Sequence, residues 1–188
     1  MATWPSSPTV ARAGAAVPRH VVLVGLSGSG KSTVGAIAAS RLAAPFVDLD
    51  ARIEQRAGRT IARIFAEDGE AAFRTLEVAA ADEVLSGPPL IVAAGGGYLD
   101  NAAARRRTLA GALVVYLDTA PTIAASRLGP QAGRPLLEGV EPAQRLVEML
   151  ERRGHAYHEA HQRVTTDGQT AAQVADQVVA LAREKAGW

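Results

Sequence analysis

A glycine-rich segment near the start of the chain has the spacing of a phosphate-binding loop (P-loop). Residues 25–32 read glycine, four residues, then Gly-Lys-Ser, with a strand predicted before them and a helix after them. Glycines let successive backbone N–H groups face one phosphate, and the N-terminus of the following helix adds its dipole. Lys31 can reach the β- and γ-phosphates as a catalytic cation, and the Ser32 hydroxyl can bind a metal ion. The motif predicts a nucleotide site formed by Gly28, Ser29, Gly30, Lys31, Ser32 and Thr33.

Two acidic residues end the second predicted strand, which we expect at 46–50. Asp48 and Asp50 alternate along it, so their side chains would share one face of a regular strand. Two carboxylates beside a phosphate loop repel a nucleotide unless a cation intervenes, which indicates magnesium bound by Ser32 and Asp48. Asp50 would then act on the acceptor hydroxyl, as a catalytic general base or an orienting group. The alternatives are two solvated acids in a turn, or Asp50 as a helix N-cap.

An arginine and a run of glycines have the chemistry to hold an acidic substrate. An arginine fork binds a carboxylate through two parallel hydrogen bonds, which suits it better than lysine for this task. Arg74 lies on a long predicted helix, and Glu77, three residues later, can orient it on the same helix face. The triple glycine at 95–97 follows an apolar strand and permits close approach of the backbone to a ligand. A tight strand-to-helix turn is the alternative for these glycines.

These residues need a sheet of parallel strands to bring them together. Short apolar runs alternate with helical segments, which is typical of a parallel sheet covered by helices on both faces. The predicted strands are 21–24, 46–50, 90–94, 112–117 and a short one around Val164. Ligands bind such sheets at the carboxyl ends of the strands, and three strands here end in the phosphate loop, the acidic pair and the triple glycine. The sequence therefore predicts an α/β fold with its site where these three ends meet.

Composition narrows the classes of protein that the chain can belong to. Its 188 residues favour one domain, placed at 20–188 after a disordered tail at 1–19, for which a transit peptide is the alternative. A net charge of +1 and 4% aromatic residues give no basic or stacking surface for nucleic acid. No run approaches the ~20 apolar residues of a membrane span. The absence of cysteine fits a reducing, cytoplasmic location, and we expect a monomer.

In this order along the chain, the motifs resemble those of shikimate kinases, small members of the nucleoside-monophosphate-kinase-like P-loop group. The resemblance covers nearly everything after the tail. Further matching pieces are Gly58-Arg59, Asp68-Gly69-Glu70, Phe73-Arg74, Arg134-Pro135-Leu136-Leu137, and Arg153 with Tyr157. The resemblance implies a three-layer P-loop NTPase fold with five parallel strands in the order 2-3-1-4-5. It also implies a helical substrate-binding segment at 51–85 and a mobile lid at 129–138.

The same resemblance implies a reaction, the transfer of a phosphoryl group from ATP to the 3-hydroxyl of shikimate. It implies that Arg74 and Arg153 bind the shikimate carboxylate, while Asp50 contacts the substrate hydroxyls. Arg153 is preferred to its neighbour Arg152 because it lies four residues before Tyr157, as in the family. Gly95, Gly96 and Gly97 would lie beside the substrate.

Two arginines are assigned to the nucleotide through the resemblance. Arg127 matches a position that packs on adenine, although an ordinary surface arginine is an equal alternative. Arg134 lies in the expected lid, from which it would bring positive charge to the transferring phosphoryl group as a catalytic residue. Closure of such a lid excludes water, which otherwise competes as the acceptor.

One residue departs from the family pattern. Tyr98 follows the triple glycine where a smaller residue is usual, so its phenol would either point outward or reshape the pocket. A kinase of another small polyol or acid, such as gluconate or a cyclitol, is therefore an alternative function. A non-catalytic, nucleotide-gated binding module is a second alternative, which the presence of Lys31, Ser32, Asp48 and Asp50 disfavours.

Overall fold

The structure is a computed structural model that describes residues 18–128 and 141–188. Its strands are β1 (His20–Val24), β2 (Phe46–Asp48), β3 (Ile91–Ala93), β4 (Ala112–Asp118) and β5 (Gln162–Thr165). Its helices are α1 (Lys31–Leu42), α2 (Leu49–Ala57), α3 (Ile61–Leu85), α4 (Ala102–Gly111), α5 (Pro121–Arg127), α6 (Pro142–His158) and α7 (Ala171–Lys185). A 3₁₀ turn, Tyr98–Asp100, lies between β3 and α4.

The strands form one parallel sheet in the order β2-β3-β1-β4-β5. The central strand β1 pairs on both sides, with Val22 opposite Val92 of β3 and opposite Val114 of β4. All five residues of β1 are buried, as expected for a strand that helices cover on both faces. The predicted fold class and strand order are confirmed.

Alternate residues of β1 contribute to two separate hydrophobic layers. Val22 and Val24 belong to a cluster that includes buried residues of α3, α4 and α6. Val21 and Leu23 belong to a second cluster with buried residues of α1 and α7. Because side chains of a strand alternate between its faces, the two clusters are the two faces of the sheet, and the fold has three layers.

Helices α2 and α3 form the segment that the sequence assigned to substrate binding, and they share a small core of their own. Ile53 of α2 packs with Ile64, Phe73 and Ala80 of α3. Gly69 interrupts α3 with a non-helical backbone (φ 80°, ψ 172°), which glycine adopts readily. The part of α3 after this kink carries Arg74 and Glu77.

The second strand is shorter than predicted, and this changes the geometry of the acidic pair. β2 ends at Asp48, and Asp50 lies in the first turn of α2. Asp48 Oδ1 accepts hydrogen bonds from the backbone N–H groups of Asp50 (3.0 Å) and Ala51 (3.3 Å), so Asp48 is the N-cap of α2. The expectation of a strand through residue 50 is wrong, and so is the alternative of Asp50 as the cap.

The beginning and end of the described chain meet. Arg19, placed in the disordered tail by the sequence, donates its backbone N–H to Ala186 O at 2.8 Å, and its side chain donates to Lys185 O at 2.7 Å. The rest of the expected tail (1–17) and the expected lid with Arg134 lie outside the described residues. Over the part of the chain that the structure covers, no helix has the length and apolar character needed to cross a membrane.

Candidate active site

The phosphate loop joins β1 to α1, at the carboxyl end of the sheet. Gly28 (φ 82°) and Gly30 (φ 93°) have left-handed backbone conformations that other residues rarely adopt. A Cβ on Gly28 would also overlap the backbone of Ala124, the residue at the centre of α5. Both glycines are thus required by the turn, and Gly28 is required also by the close approach of a neighbouring helix.

A cavity of about 450 Å³ opens beside this loop. It is lined by residues 28–34, and by Arg127, Thr166 and Gln169 among others. The Lys31 ammonium donates hydrogen bonds to two carbonyls of the loop, Gly25 O at 2.9 Å and Leu26 O at 2.8 Å. This arrangement places a lysine, a glycine loop and the N-terminus of α1 along one cavity, which is the chemistry that binds a polyphosphate.

The two residues assigned to the metal contact each other directly. The Ser32 hydroxyl donates a short hydrogen bond to Asp48 Oδ2, while Asp48 Oδ1 caps α2. The cap fixes the Asp48 carboxylate, and α1 fixes the Ser32 hydroxyl, so one hydroxyl and one carboxylate oxygen lie side by side. Both are hard oxygen donors of the kind that magnesium prefers.

Asp50 faces the same cleft from the first turn of α2. Its surface is partly open to solvent, but crowding by protein atoms desolvates the carboxylate and raises its pKa above the ordinary value. Asp48 raises the pKa further by charge repulsion, whereas Lys31 and Arg74 act in the opposite direction. A carboxylate with a raised pKa is suited to accept a proton or a hydrogen bond from a hydroxyl.

The triple glycine is the point where the separate parts of the site come together. A Cβ on Gly95 would overlap the Glu77 carboxylate and stand 3.1 Å from Asp50 Oδ1. A Cβ on Gly96 would stand 3.6 Å from Gly25 O of the phosphate loop and 3.8 Å from Arg153 Nη1.

The last glycine of the run completes this meeting point. A Cβ on Gly97 would stand 2.6 Å from Arg74 Nη1. The turn therefore touches the phosphate loop, the catalytic candidate Asp50 and both carboxylate-binding candidates at once.

Arg74 is held by two acids of its own helix. Its guanidinium donates to Glu70 through Nη2 (2.9 Å) and Nε (3.3 Å), and to Glu77 through Nη1 (2.8 Å). The predicted pairing with Glu77 is confirmed. Burial acts to lower the pKa of Arg74, but the two carboxylates outweigh it and the pKa lies above the ordinary value. For Glu77, which is 1% exposed, burial dominates and raises the pKa although Arg74 opposes it.

Arg153 reaches the same turn from α6. It is 5% exposed, whereas its neighbour Arg152 is on the surface, which agrees with the choice between them. Arg153 Nε donates to Asp100 Oδ2 at 3.0 Å. Tyr157, one helical turn later, donates from its hydroxyl to Gly96 O, so two side chains of α6 bond to the triple glycine and to the 3₁₀ turn that follows it.

Tyr98 takes neither of the two orientations considered from the sequence. Its ring is 1% exposed, and its hydroxyl lies 2.7 Å from the Thr108 hydroxyl of α4 within the core. Burial raises the pKa of this phenol. The Tyr98 ring thus adds to the hydrophobic core beneath the glycine turn, and only the glycines of this turn face the cleft.

Arg127 lies at the rim of the cavity beside the phosphate loop. Its guanidinium donates to Thr166 Oγ1 at 2.8 Å and to Thr166 O at 3.0 Å. The contact holds the side chain against the segment that follows β5. The role on adenine stays a prediction, as does the role of Arg134 outside the described residues.

Sequence reasoning missed two of these residues. Asp100, the partner of Arg153, and Thr166, the partner of Arg127, have no motif around them and lie 53 and 39 residues from the arginines they hold. Only the order of the elements in the fold brings them together. The one local signal was the position of Asp100 three residues after the triple glycine.

Comparison with known proteins identifies the family. A family model described as shikimate kinase matches residues 27–183. The chain belongs to the shikimate kinase family. The shikimate kinase of Rhodococcus jostii (strain RHA1) is 40% identical over 167 residues, covering 87% of this chain and 97% of that protein. The resemblance found in the motifs, and with it the assignment as a kinase, is confirmed.

Solved structures of shikimate kinases share the fold. The enzyme of Acinetobacter baumannii, in complex with shikimate, superposes with a TM-score of 0.85 at 34% identity, covering 90% of this chain and 95% of that one. The enzyme of Bacteroides thetaiotaomicron gives a TM-score of 0.80 at 28% identity, covering 88% and 98%.

Proposed function

We propose that the chain transfers the γ-phosphoryl group of ATP to the 3-hydroxyl of shikimate, giving ADP and shikimate 3-phosphate. The observation that carries this proposal is the contact of the triple glycine with the phosphate loop, Asp50, Arg74 and Arg153. A molecule with a carboxylate at one end and hydroxyls at the other fits between two arginines and one acid. Family membership and the shikimate-bound relative support the same acceptor.

In this proposal the acceptor is oriented by charge at one end and by hydrogen bonding at the other. Arg153 and Arg74 bind the carboxylate, with the backbone of residues 95–97 beside the ring. Asp50 accepts a hydrogen bond from the reacting hydroxyl and takes up its proton as the bond to phosphorus forms. Aligning the hydroxyl with the phosphate in this way replaces a random encounter, and such positioning together with electrostatic stabilisation supplies nearly all of the catalysis in phosphoryl-transfer enzymes.

The nucleotide side stabilises the charge that spreads over the transferring group. The backbone N–H groups of the loop face the phosphates, and Lys31 supplies a cation that can exchange its two loop carbonyls for phosphate oxygens. Arg127 would lie against the base. We assign Arg134 a second cationic role on the transferring phosphoryl group, as the family resemblance implies.

Magnesium is the metal that the donor set fits. The adjacent oxygens of Ser32 and Asp48 would hold it, the hydroxyl directly and the carboxylate in part through water. Magnesium usually keeps several waters and is held by one or two protein groups together with substrate phosphates, so phosphates and water would supply the remaining ligands. When bound, the ion would neutralise charge on the β- and γ-phosphates. Loss of activity with a chelator, restored by added magnesium, is the expected result.

A substrate panel tests the proposed reaction. ADP release is measured with ATP, magnesium and, in turn, shikimate, quinate, gluconate and nucleoside monophosphates. We expect release with shikimate and a product that carries one phosphate at the 3-position in the NMR spectrum. A preference for gluconate or another polyol would show that the proposed acceptor is wrong, but phosphoryl transfer from ATP would remain the reaction. ATP binding without turnover on any acceptor would favour the non-catalytic binding module.

We also propose how the chain is divided into domains. Residues 20–188 would act as one domain, with α2 and α3 as the acceptor-binding segment. A monomeric state and a cytoplasmic location stay predictions.

A further inference from the structure

The ion pair between Asp100 and Arg153 is a feature of the site that the proposed reaction does not use. Arg153 is nearly enclosed, and its Nε donates to Asp100 Oδ2 at 3.0 Å. Asp100 is the last residue of the 3₁₀ turn that follows the triple glycine, and its carboxylate is partly exposed. The same short segment therefore supplies both the backbone that lines the cleft and the acid that holds one of its arginines.

The two arginines of the cleft are held in different ways. Arg74 meets carboxylates through Nε and both terminal nitrogens. Arg153 meets Asp100 through Nε, at the side of the fork, while its Nη1 lies against Gly96. A guanidinium can bind a carboxylate on the side that carries Nε or through its two terminal nitrogens. A carboxylate bound at Nε therefore leaves the terminal nitrogens for a second carboxylate.

A hydrogen bond that fixes the Arg153 side chain before the substrate binds would favour substrate affinity. Arginine has several rotatable bonds, and freezing them on binding would reduce affinity. A buried guanidinium also requires hydrogen-bond partners, because its desolvation is otherwise unfavourable. Tyr157 is a second partner of the same guanidinium: burial raises the pKa of its phenol, and the charge of Arg153 and a hydrogen bond with it oppose that rise. Asp100 is the acid in contact, and it fixes the direction of the fork.

We propose that Asp100 is a positioning residue that holds the Arg153 fork by its side, so that the terminal nitrogens face the carboxylate of the acceptor. The inference rests on the proposed function, since it concerns how the acceptor carboxylate is recognised. It assigns Asp100 an effect on shikimate affinity and none on the nucleotide or on the chemical step.

Two substitutions separate the hydrogen bond from the charge. Asp100→Ala removes the acceptor for Nε, and we expect the KM for shikimate to rise about tenfold, with kcat changed less than about threefold and the KM for ATP unchanged. Asp100→Asn keeps an oxygen that accepts from Nε. We expect its KM for shikimate to stay within about threefold of the wild-type value.

An acceptor without a negative charge tests whether the effect passes through Arg153. Wild-type protein should prefer shikimate to its methyl ester, and Asp100→Ala should reduce that preference in kcat/KM about tenfold. A merely structural role would weaken turnover of both acceptors equally and leave the preference unchanged. The preference is thus a readout that loss of stability alone does not alter.

Glu159→Ala is the matched control. It removes a similar contact between α4 and the end of α6, the Arg105 Nε–Glu159 Oε2 pair at 3.1 Å, without touching Arg153. We expect its kinetics to match the wild type, and thermal unfolding of each variant shows whether it is folded.

The outcomes separate the two proposals. This inference alone would be overturned if the wild-type protein phosphorylates shikimate and folded Asp100→Ala keeps the wild-type KM for shikimate. An unchanged preference of that variant for shikimate over its methyl ester would have the same consequence. Wild-type protein that does not phosphorylate shikimate would overturn the proposed function and this inference with it.

Discussion

The two halves of the cleft are built in different ways. The predicted nucleotide half comes mainly from one continuous segment, 25–33, which offers backbone N–H groups, a single lysine and several hydroxyls. The acceptor half is assembled from four separate elements, with Asp50 on α2, Arg74 on α3, the triple glycine after β3, and Arg153 on α6. One half is a local motif, and the other exists only in the folded chain.

The halves also differ in charge density. In the nucleotide half, Lys31 shares its hydrogen bonds with neutral carbonyls of the loop. In the acceptor half, two arginines lie among Asp50, Glu77 and Asp100, and burial raises the pKa values of Asp50 and Glu77. Substitutions in the first half should therefore alter nucleotide use and turnover, and those in the second half should alter acceptor use.

The largest effect is expected from Lys31→Ala. Loss of the cation removes stabilisation of the charge that develops on the phosphoryl group, and we expect kcat to fall by about a thousandfold or more. Shikimate binding, measured by calorimetry without nucleotide, should change little because the acceptor half is intact. Lys185→Ala is the control, since Lys185 is the other lysine of the chain and lies at the end of α7. Near-normal turnover in Lys31→Ala would contradict the role given to Lys31.

Asp50→Asn should show most clearly that the acceptor half of the cleft can be impaired without an effect on ATP binding. We expect kcat to fall about a hundredfold while ATP affinity stays near normal, because the amide cannot take up the hydroxyl proton. The raised pKa of Asp50 means that wild-type kcat/KM for shikimate should fall as the pH drops through it and the carboxylate becomes protonated. A pH profile of the variant should lack that acid limb, and Asp176→Asn on the exposed face of α7 should retain it. Wild-type rates in Asp50→Asn would remove Asp50 from the mechanism.

The backbone of the loop at 25–33 and the Arg74–Glu77 ion pair could both be predicted from the sequence, because each depends on neighbouring residues. The spacing of the glycines and Lys31 fixes the loop, and the i,i+3 spacing of Arg74 and Glu77 fixes their ion pair. The alternation of apolar runs with helical segments predicts the parallel sheet for the same reason.

The features that could not be predicted from the sequence depend on competition between a strand and a helix for the same residues, or on contacts between residues far apart in the chain. The end of β2 is decided by the Asp48 carboxylate, which caps a helix two residues earlier than the apolar pattern indicates. Tyr98 is accommodated by a hydroxyl on α4, ten residues away, and Arg153 by an acid 53 residues away. No periodicity links such pairs.

Gly95→Ala should disturb the acceptor half through sterics alone. The added methyl would overlap the Glu77 carboxylate and approach Asp50 Oδ1 to 3.1 Å. We expect the KM for shikimate to rise about tenfold and the free energy of unfolding to fall by about 1–3 kcal/mol, with the KM for ATP unchanged. At Gly96 the nearest atom would lie at 3.6 Å, so Gly96→Ala should reduce stability less. Chemical denaturation of both variants gives the comparison, and equal losses would show that the crowding at Gly95 is relieved by movement of Glu77.

The smallest effect is expected from Arg127→Ala, and it tests whether the nucleotide half extends beyond the loop. Arg127 is held by Thr166 at the rim of the cavity, away from the reacting phosphate. If it packs on the base, its loss should raise the KM for ATP about three- to fivefold, because an exposed cation–π contact is weak, and should leave the KM for shikimate unchanged. Arg106→Ala, on the exposed face of α4, is the control. An unchanged KM for ATP would make Arg127 a surface residue bonded to Thr166, and would confine the nucleotide half to the local segment 25–33.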